Sequence, residues 1–250
     1  MNYNWDWSIL FCFEADPVSS CTQPFFYWVV SGFGWTISVA AAAWVIAFSL
    51  GSVIGVLRTV ENRYLRGFAT VYVTIFRNIP LLVQMFLWFF VFPELLPDDA
   101  GKWVKRGLPI PEFWTAVVCL GTYTASRVGE QVRAGIEAIT QGQRYAAMAM
   151  GLRPIQVYRY ILLPVSYRII IPPLTSDFLG IFKNSSLALT IGVLELTAQT
   201  RQIEEYTFQG FEAFTAATLL YIVVTAIVMI AMRMVESKLV IPGMISLGAK

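Results

Sequence analysis

Several stretches of this chain stay apolar for long enough to cross a lipid bilayer. That length restricts the fold to elements that satisfy their own backbone groups. About 20 apolar residues reach across the hydrocarbon core of a membrane. Within that core only helices and closed barrels leave no peptide group without a partner. Residues 33–57, 68–92 and 214–235 meet the length outright. Residues 113–132 and 169–193 also meet it, each interrupted by ionisable or prolyl positions. The expected fold is an all-α integral membrane protein with five transmembrane helices, in a single domain over residues 1–250.

Composition agrees and removes much chemistry. Of the 250 residues, 57% are hydrophobic and 14% charged, against about 25% charged in soluble domains. With no histidine there is no Ser-His-Asp or Cys-His machinery and no imidazole switch near neutral pH. Three cysteines, Cys12, Cys21 and Cys119, cannot supply a four-thiolate metal site. No metal or other cofactor is expected. A net charge of +2 gives no basis for a nucleic-acid partner. No GxxxxGK[ST] occurs, so the chain carries no P-loop for ATP. The start of the chain has acids and no basic residue ahead of its apolar stretch, unlike a cleaved signal peptide. Trp5, Trp7, Phe11 and Phe13 suit a segment lying at headgroup depth, and residues 1–28 are expected to form an external N-terminal segment.

Charge asymmetry orients the spans. One set of connections and the C-terminal end carries Arg58, Arg63, Arg66, Arg133, Arg144, Arg153, Arg159, Arg168, Arg233, Lys238 and Lys250. The other set carries only Lys102, Lys105, Arg106 and Arg201. Positive-inside weighting places the C-terminus in the cytoplasm and the N-terminus outside. Residues 93–112, rich in proline, and the polar residues 194–212 then read as external loops.

The cytoplasmic stretch 134–165 is of another kind. Ala146, Ala147, Met148, Ala149 and Met150 favour helix, Gly151 suits the end of that helix, and Pro154 suits the first position of the next. Two short helices joined by a tight turn are expected. An Ala/Met surface facing water needs a cover, either lipid or a protein partner.

Ionisable groups inside spans are expensive, at about 2.5–3.5 kcal/mol each by the lowest scales, and face a cavity or a partner. Arg77, Arg127, Glu130, Asp177 and Lys183 are the candidates, with Asn184 alongside. In the second span Thr70, Thr74, Arg77 and Gln84 fall on one helical stripe, and Pro80 is placed to kink it. In the third, Tyr123, Arg127 and Glu130 share a face. These charges either pair among themselves, Arg127 with Glu130 or Asp177 with a neighbouring span, or leave a cation for an anionic guest. Smaller features are Gly51 and Gly55, a GxxxG suited to close helix packing, and Cys12 with Cys21, which are either bridged or unpaired. Cys119 suits apolar packing.

The residues also carry a resemblance. Ala146-Ala147, three residues, Gly151, nine residues and Ile161-Leu162-Leu163-Pro164 resembles the "EAA" loop of ATP-binding-cassette (ABC) importer permeases. Residues 36–58 (TISVAAAAWVIAFSLGSVIGVLR), the R-x-x-P-L-L-x-Q at Arg77, Pro80 and Gln84, and residues 167–197 are similar to the polar amino acid uptake branch of that family. The wording F-R-N-x-P and R-V-x-E-Q-V-R-A is most similar to permeases that carry glutamate and aspartate. The resemblance implies a type I ABC importer permease in a bacterial inner membrane. Its implied partners are a dimer of separate ATPase subunits that bind the ATP, a second, non-identical permease and a periplasmic amino-acid-binding protein, with lipid around the spans. It assigns coupling to the ATPase to Tyr145, Ala146, Ala147, Gly151, Ile161 and Pro164. Three departures stand out. Tyr145 occupies the position of the loop's leading Glu, Thr74 stands where the family often has Glu, and Arg127 stands where many relatives have Tyr. A guanidinium facing a cavity grips a carboxylate with two bonds, so Arg127 is the expected contact for an acidic side chain, with Glu130 receiving the α-ammonium. The competing readings are a permease for a neutral or basic amino acid, a channel or scaffold whose inner loop lies on lipid, and an intramembrane enzyme.

Overall fold

The computed structural model describes residue 3 and residues 5–11 and 25–239; every regular element among them is helical. The bridging of Cys12 with Cys21, and the charge of Lys250, lie outside the described residues. Two helices are long and apolar enough to cross a membrane, α1 (Phe25–Leu57) and the last helix, Gly210–Leu239. Both overrun the expected spans, and α1 begins inside the stretch expected to be an external segment.

The second expected span is not one helix. A first helix, α2 (Arg63–Asn78), is capped by Asn62, whose side chain accepts from the backbone N–H groups of Tyr64 (2.9 Å) and Leu65 (3.3 Å). It ends because Ile79 precedes Pro80: proline disfavours the helical region for the residue before it, and Ile79 is extended at φ −91°, ψ 129°. Helix resumes as α3 (Leu81–Leu95). Pro80 therefore breaks the span instead of kinking it. Gln84, buried on α3, is cut off from the stripe of Thr70, Thr74 and Arg77 on α2.

Next comes α4 (Pro111–Glu137), unbroken across the third expected span. Then α5 (Gln141–Ala149) and a single turn, Pro154–Val157, lead through a widened turn, Tyr158–Leu162, into α6 (Leu163–Asn184). That helix tolerates Pro172 and Pro173 in its interior and tightens into a 3-10 segment, Ser185–Ile191. Gly192 closes it at φ 96°, a left-handed conformation that glycine adopts without strain. The chain ends its described part with α7 (Leu196–Thr207) and α8 (Gly210–Leu239).

Both expected external loops are largely helical. In the first, Pro93 lies in the last turn of α3, and Asp98 and Asp99 with Lys102 suit the two ends of the short helix Asp98–Lys102. In the second, α7 forms because Glu195 caps it, accepting from Thr197 N (2.9 Å) and Ala198 N (2.8 Å), while Leu196 and Ile203 are buried.

The chain divides into two compact units. The first contains Met1–Ala43, Leu81–Leu120 and Ile181–Ala226. Its core joins Phe25 and Val29 of α1, Leu196 and Ile203 of α7, and Ala213 and Ala217 of α8. Gly32 brings α1 so near that a Cβ there would lie 2.9 Å from the Leu196 Cα. The Leu196 N–H donates to Thr36 Oγ1 at 3.1 Å, and the Tyr221 hydroxyl to Glu195 at 3.2 Å. Tyr3 and the Asp6 N–H both donate to the buried Glu212 carboxylate.

The second unit contains Trp44–Pro80, Gly121–Gly180 and Ile227–Lys250. Its core runs along α4 through Val128, Val132 and Ile136 to Ala147 of α5 and to Val157, Leu162, Ile170 and Leu174. Here the GxxxG has a definite use. A Cβ on Gly51 would lie 2.7 Å from Val128 Cβ, and one on Gly55 2.6 Å from Val132 Cβ. The two glycines let the backbones of α1 and α4 meet, which larger side chains prevent.

Candidate functional site

The second unit gathers the charged side chains. On α4, Arg127, Glu130, Arg133 and Glu137 follow one another at three- and four-residue steps and so line one face. Two acid-centred groups form around that face.

The first centres on Asp177 of α6, whose side chain is only 2% exposed. Arg127 Nε donates to its Oδ1 at 2.7 Å, while the Arg127 side chain as a whole is 51% exposed. Gln131, one turn beyond Arg127, donates its Nε2 to Asp177 Oδ2 and to the Pro173 carbonyl at 3.3 Å. Each carboxylate oxygen of Asp177 thus has a donor from α4. A buried carboxylate is retained only with such partners. Of the expected alternatives, pairing of Asp177 with a neighbouring span is what the fold adopts, and Arg127 bonds Asp177 instead of Glu130.

The second group centres on Glu130. Its Oε2 meets Arg58, just past the end of α1, and lies 3.7 Å from Arg77 in the last turn of α2; its Oε1 bonds Arg133, which also bonds Glu137. Arg58 is 15% exposed and Arg77 50%. Burial first, and then repulsion from Arg133, hold the Arg58 guanidinium below the usual arginine range. With three guanidiniums on its two oxygens, Glu130 does not offer the free carboxylate that an incoming ammonium needs.

Of the six residues expected along a substrate pathway, Arg77, Arg127, Glu130 and Asp177 belong to this unit. Lys183 and Asn184 belong to the other; Lys183 is exposed in the last turn of α6 and Asn184 is half-buried. Four members lie outside the expected set. Arg58 and Arg133 count among the orienting charges in the sequence, yet both bond Glu130, and Glu137 bonds Arg133. Gln131 carries no charge; its signal was its place four residues beyond Arg127, on the same helical face.

The expected two-helix loop is present. α5 ends in a Schellman motif, with the Gly151 N–H donating to Met148 O (2.9 Å) and the Leu152 N–H to Ala147 O (3.3 Å). Gly151 sits at φ 85° with open space where a Cβ would be. Pro154 is the first residue of the next turn, and Gln156 Oε1 accepts from the Arg153 N–H at 2.8 Å. Ala147 is buried and Ile161 half-buried against the unit's core; Tyr145, Ala146, Gly151 and Pro164 are exposed. Met148, Met150, Ile155 and Tyr160 extend that exposed surface. Three bonds tie the loop to the α1–α2 connection: Arg144 Nη2 to Glu61 at 3.2 Å, and the Tyr158 hydroxyl with Thr59 O at 3.1 Å and Thr59 Oγ1 at 3.0 Å.

Residues 47–241 match the family model described as the binding-protein-dependent transport system inner membrane component. The glutamate/aspartate import permease protein GltJ of Escherichia coli K12 is 45% identical over 252 aligned residues, covering all of both chains. The arginine transport system permease protein ArtQ of Bacillus subtilis 168 is 30% identical, over 88% of this chain and 96% of its own. A crystal structure of an amino acid ABC transporter with histidines superposes with a TM-score of 0.72 at 26% identity, covering 86% of this chain and 95% of that one. The MetNI methionine ABC transporter shares the fold, with a TM-score of 0.72 at 20% identity over 88% of this chain and all of its own.

Proposed function

The chain belongs to the family of binding-protein-dependent transport system inner membrane components, and from that premise we propose that it carries acidic amino acids, glutamate or aspartate, inward across a bacterial inner membrane. It is a permease subunit of an ABC importer and not itself an enzyme; ATP hydrolysis belongs to a separate subunit, and the chain needs no cofactor of its own for that role. An ATPase and a second permease are its implied partners. A dimeric ATPase, a permease partner different in sequence, a periplasmic binding protein and surrounding lipid complete the assembly in this reading.

The observation that carries the cargo assignment is Arg127. A half-exposed guanidinium in a membrane-spanning stretch, anchored at one edge by a buried carboxylate, presents a fixed cation to a carboxylate guest. An acidic amino acid has one carboxylate more than a neutral one, and Arg127 is its match. The full-length likeness to a glutamate/aspartate permease supports the same cargo. Charge asymmetry supports a periplasmic N-terminus and a cytoplasmic C-terminus.

The mechanism in this reading is alternating access. The binding protein delivers the amino acid outside, ATP binding closes the ATPase pair, and the loop 134–165 carries that motion to the spans. Tyr145, Ala146 and Gly151 supply its exposed surface, while Ala147 and Ile161 seat it on the core. The tethers to Thr59 and Glu61 give the loop a route to the end of α1, where Arg58 holds Glu130.

Arg127→Tyr tests the cargo. The assembled importer, reconstituted with its ATPase, partner permease and binding protein, is expected to lose glutamate uptake while inserting normally. Unchanged glutamate uptake overturns the assignment.

A further inference from the structure

We infer that Asp177 and Gln131 are positioning residues: together they fix the Arg127 guanidinium by its Nε edge so that its terminal nitrogens meet the carboxylate of the transported amino acid. The inference rests on the acidic-cargo reading above and deepens it.

An arginine on a lone helix face has long side-chain freedom, and a flexible cation is a poor selector. Holding it costs rotamer entropy unless neighbours do so beforehand. Here Asp177, backed by Gln131, does so. Asp177 Oδ1 takes Nε at 2.7 Å from a side chain that is almost wholly buried. Its other oxygen is taken by Gln131 Nε2, which also donates to the Pro173 carbonyl. Asp177 therefore cannot rotate away without losing both bonds, and Gln131 cannot swing without leaving two acceptors on α6. The Gln131 Oε1 is buried with no partner, a cost accepted by the amide orientation that turns its donor toward the carboxylate. The wiring has one polarity: the Gln131 amide donates to Oδ2 and Arg127 Nε to Oδ1, while the Tyr123 side chain also bonds the guanidinium and about half of the Arg127 side chain stays exposed. Asp177 thus acts through Arg127, holding Nε while the terminal nitrogens meet the cargo.

That polarity makes the test specific. Asp177→Asn keeps an acceptor for Nε but sets its amide donor against the donor of Gln131. Initial glutamate uptake per assembled importer, in proteoliposomes with ATPase, partner permease and binding protein, is expected to fall about tenfold, the loss of roughly one charge-assisted hydrogen bond. Adding Gln131→Glu restores the donor–acceptor match to position 177 with carboxylate and amide exchanged and the total charge unchanged, gives up only the bond to the Pro173 carbonyl, and is expected to recover part of the uptake. A purely structural role predicts that uptake follows the amount of assembled importer in every variant, with no loss per complex. Unchanged uptake per complex in Asp177→Asn overturns the inference, and so does a loss that Gln131→Glu does not relieve. Should Asp177→Asn fail to assemble, Gln131→Leu decides: uptake per complex is expected to fall about threefold or more, as the Asp177 carboxylate loses one of its two donors, and no change overturns the inference. Arg127→Tyr separates the levels. If it leaves glutamate uptake intact, the cargo reading fails; if it abolishes uptake while Asp177→Asn does not, only the positioning fails.

Discussion

Gly55 on α1 lies so close to Val132 on α4 that a methyl group at position 55 would come within 2.6 Å of the Val132 Cβ and 2.7 Å of the Gly129 carbonyl. One turn earlier Gly51 meets Val128 in the same way. Neither neighbour can yield easily, since Val128 and Val132 are fully buried and the carbonyls are helical backbone. Gly55→Val should therefore push α1 off α4, at a cost of about 1–3 kcal/mol as in overpacked cores. Thermal inactivation of the detergent-solubilised importer is expected to fall by several degrees. Gly34, where nothing lies near a new Cβ, is the control that should tolerate Ala.

Glu195 caps α7 from a fully buried site and also accepts from Tyr221. Its removal strands two backbone N–H groups and leaves the Tyr221 hydroxyl to Thr197. Glu195→Ala is expected to cost about 1–2 kcal/mol through the lost cap alone. Glu195→Gln, which keeps one oxygen acceptor, should recover part of it. Melting temperatures of the two variants check the order; equal values would remove the cap from the account.

Gly151 separates backbone conformation from steric fit. At φ 85° any L side chain is strained by about 1–2 kcal/mol, yet there is open space for one. Gly151→Asn, which tolerates this region better, should preserve more glutamate uptake than Gly151→Asp or Gly151→Val, all with normal insertion. Uptake in Gly151→Asp equal to that of the unaltered chain would remove the loop from the coupling route.

The sequence made the apolar lengths, the close-packing glycines and the two-helix loop readable because each depends on local rules: span length, a small residue every fourth position, Gly at a helix end. It misjudged the polar connections. Residues 196–207 look like loop by composition, but a buried glutamate cap and the apolar Leu196 and Ile203 outweigh that signal. The break after Asn78 was half visible, since Pro80 marked the place without saying whether the helix would bend or stop. The pairing of charges was least legible. Helical phase puts Arg127 and Glu130 on one face, but which acid each arginine finds depends on what the other helices bring. Arg58 reaches Glu130 only because Gly51 and Gly55 let α1 lie against α4.

That contact makes Glu130 the most sensitive acid on α4. It bonds Arg58 and Arg133 and lies 3.7 Å from Arg77, and it is only a quarter exposed. Glu130→Gln removes the charge that holds Arg58, a guanidinium that is 15% exposed. Breaking a buried pair from one side costs about 3–5 kcal/mol, because the partner stays charged and unmatched. The partial exposure of Glu130 and the salt bridge left between Arg133 and Glu137 put the expected loss at the lower end of that range. Adding Arg58→Gln removes the stranded cation, so the double variant should be more stable than Glu130→Gln alone and regain uptake in proportion. A substrate contact predicts otherwise: if Glu130 received the α-ammonium, Arg58→Gln would restore stability without uptake. Melting temperature and glutamate uptake measured on the same preparations distinguish the two roles.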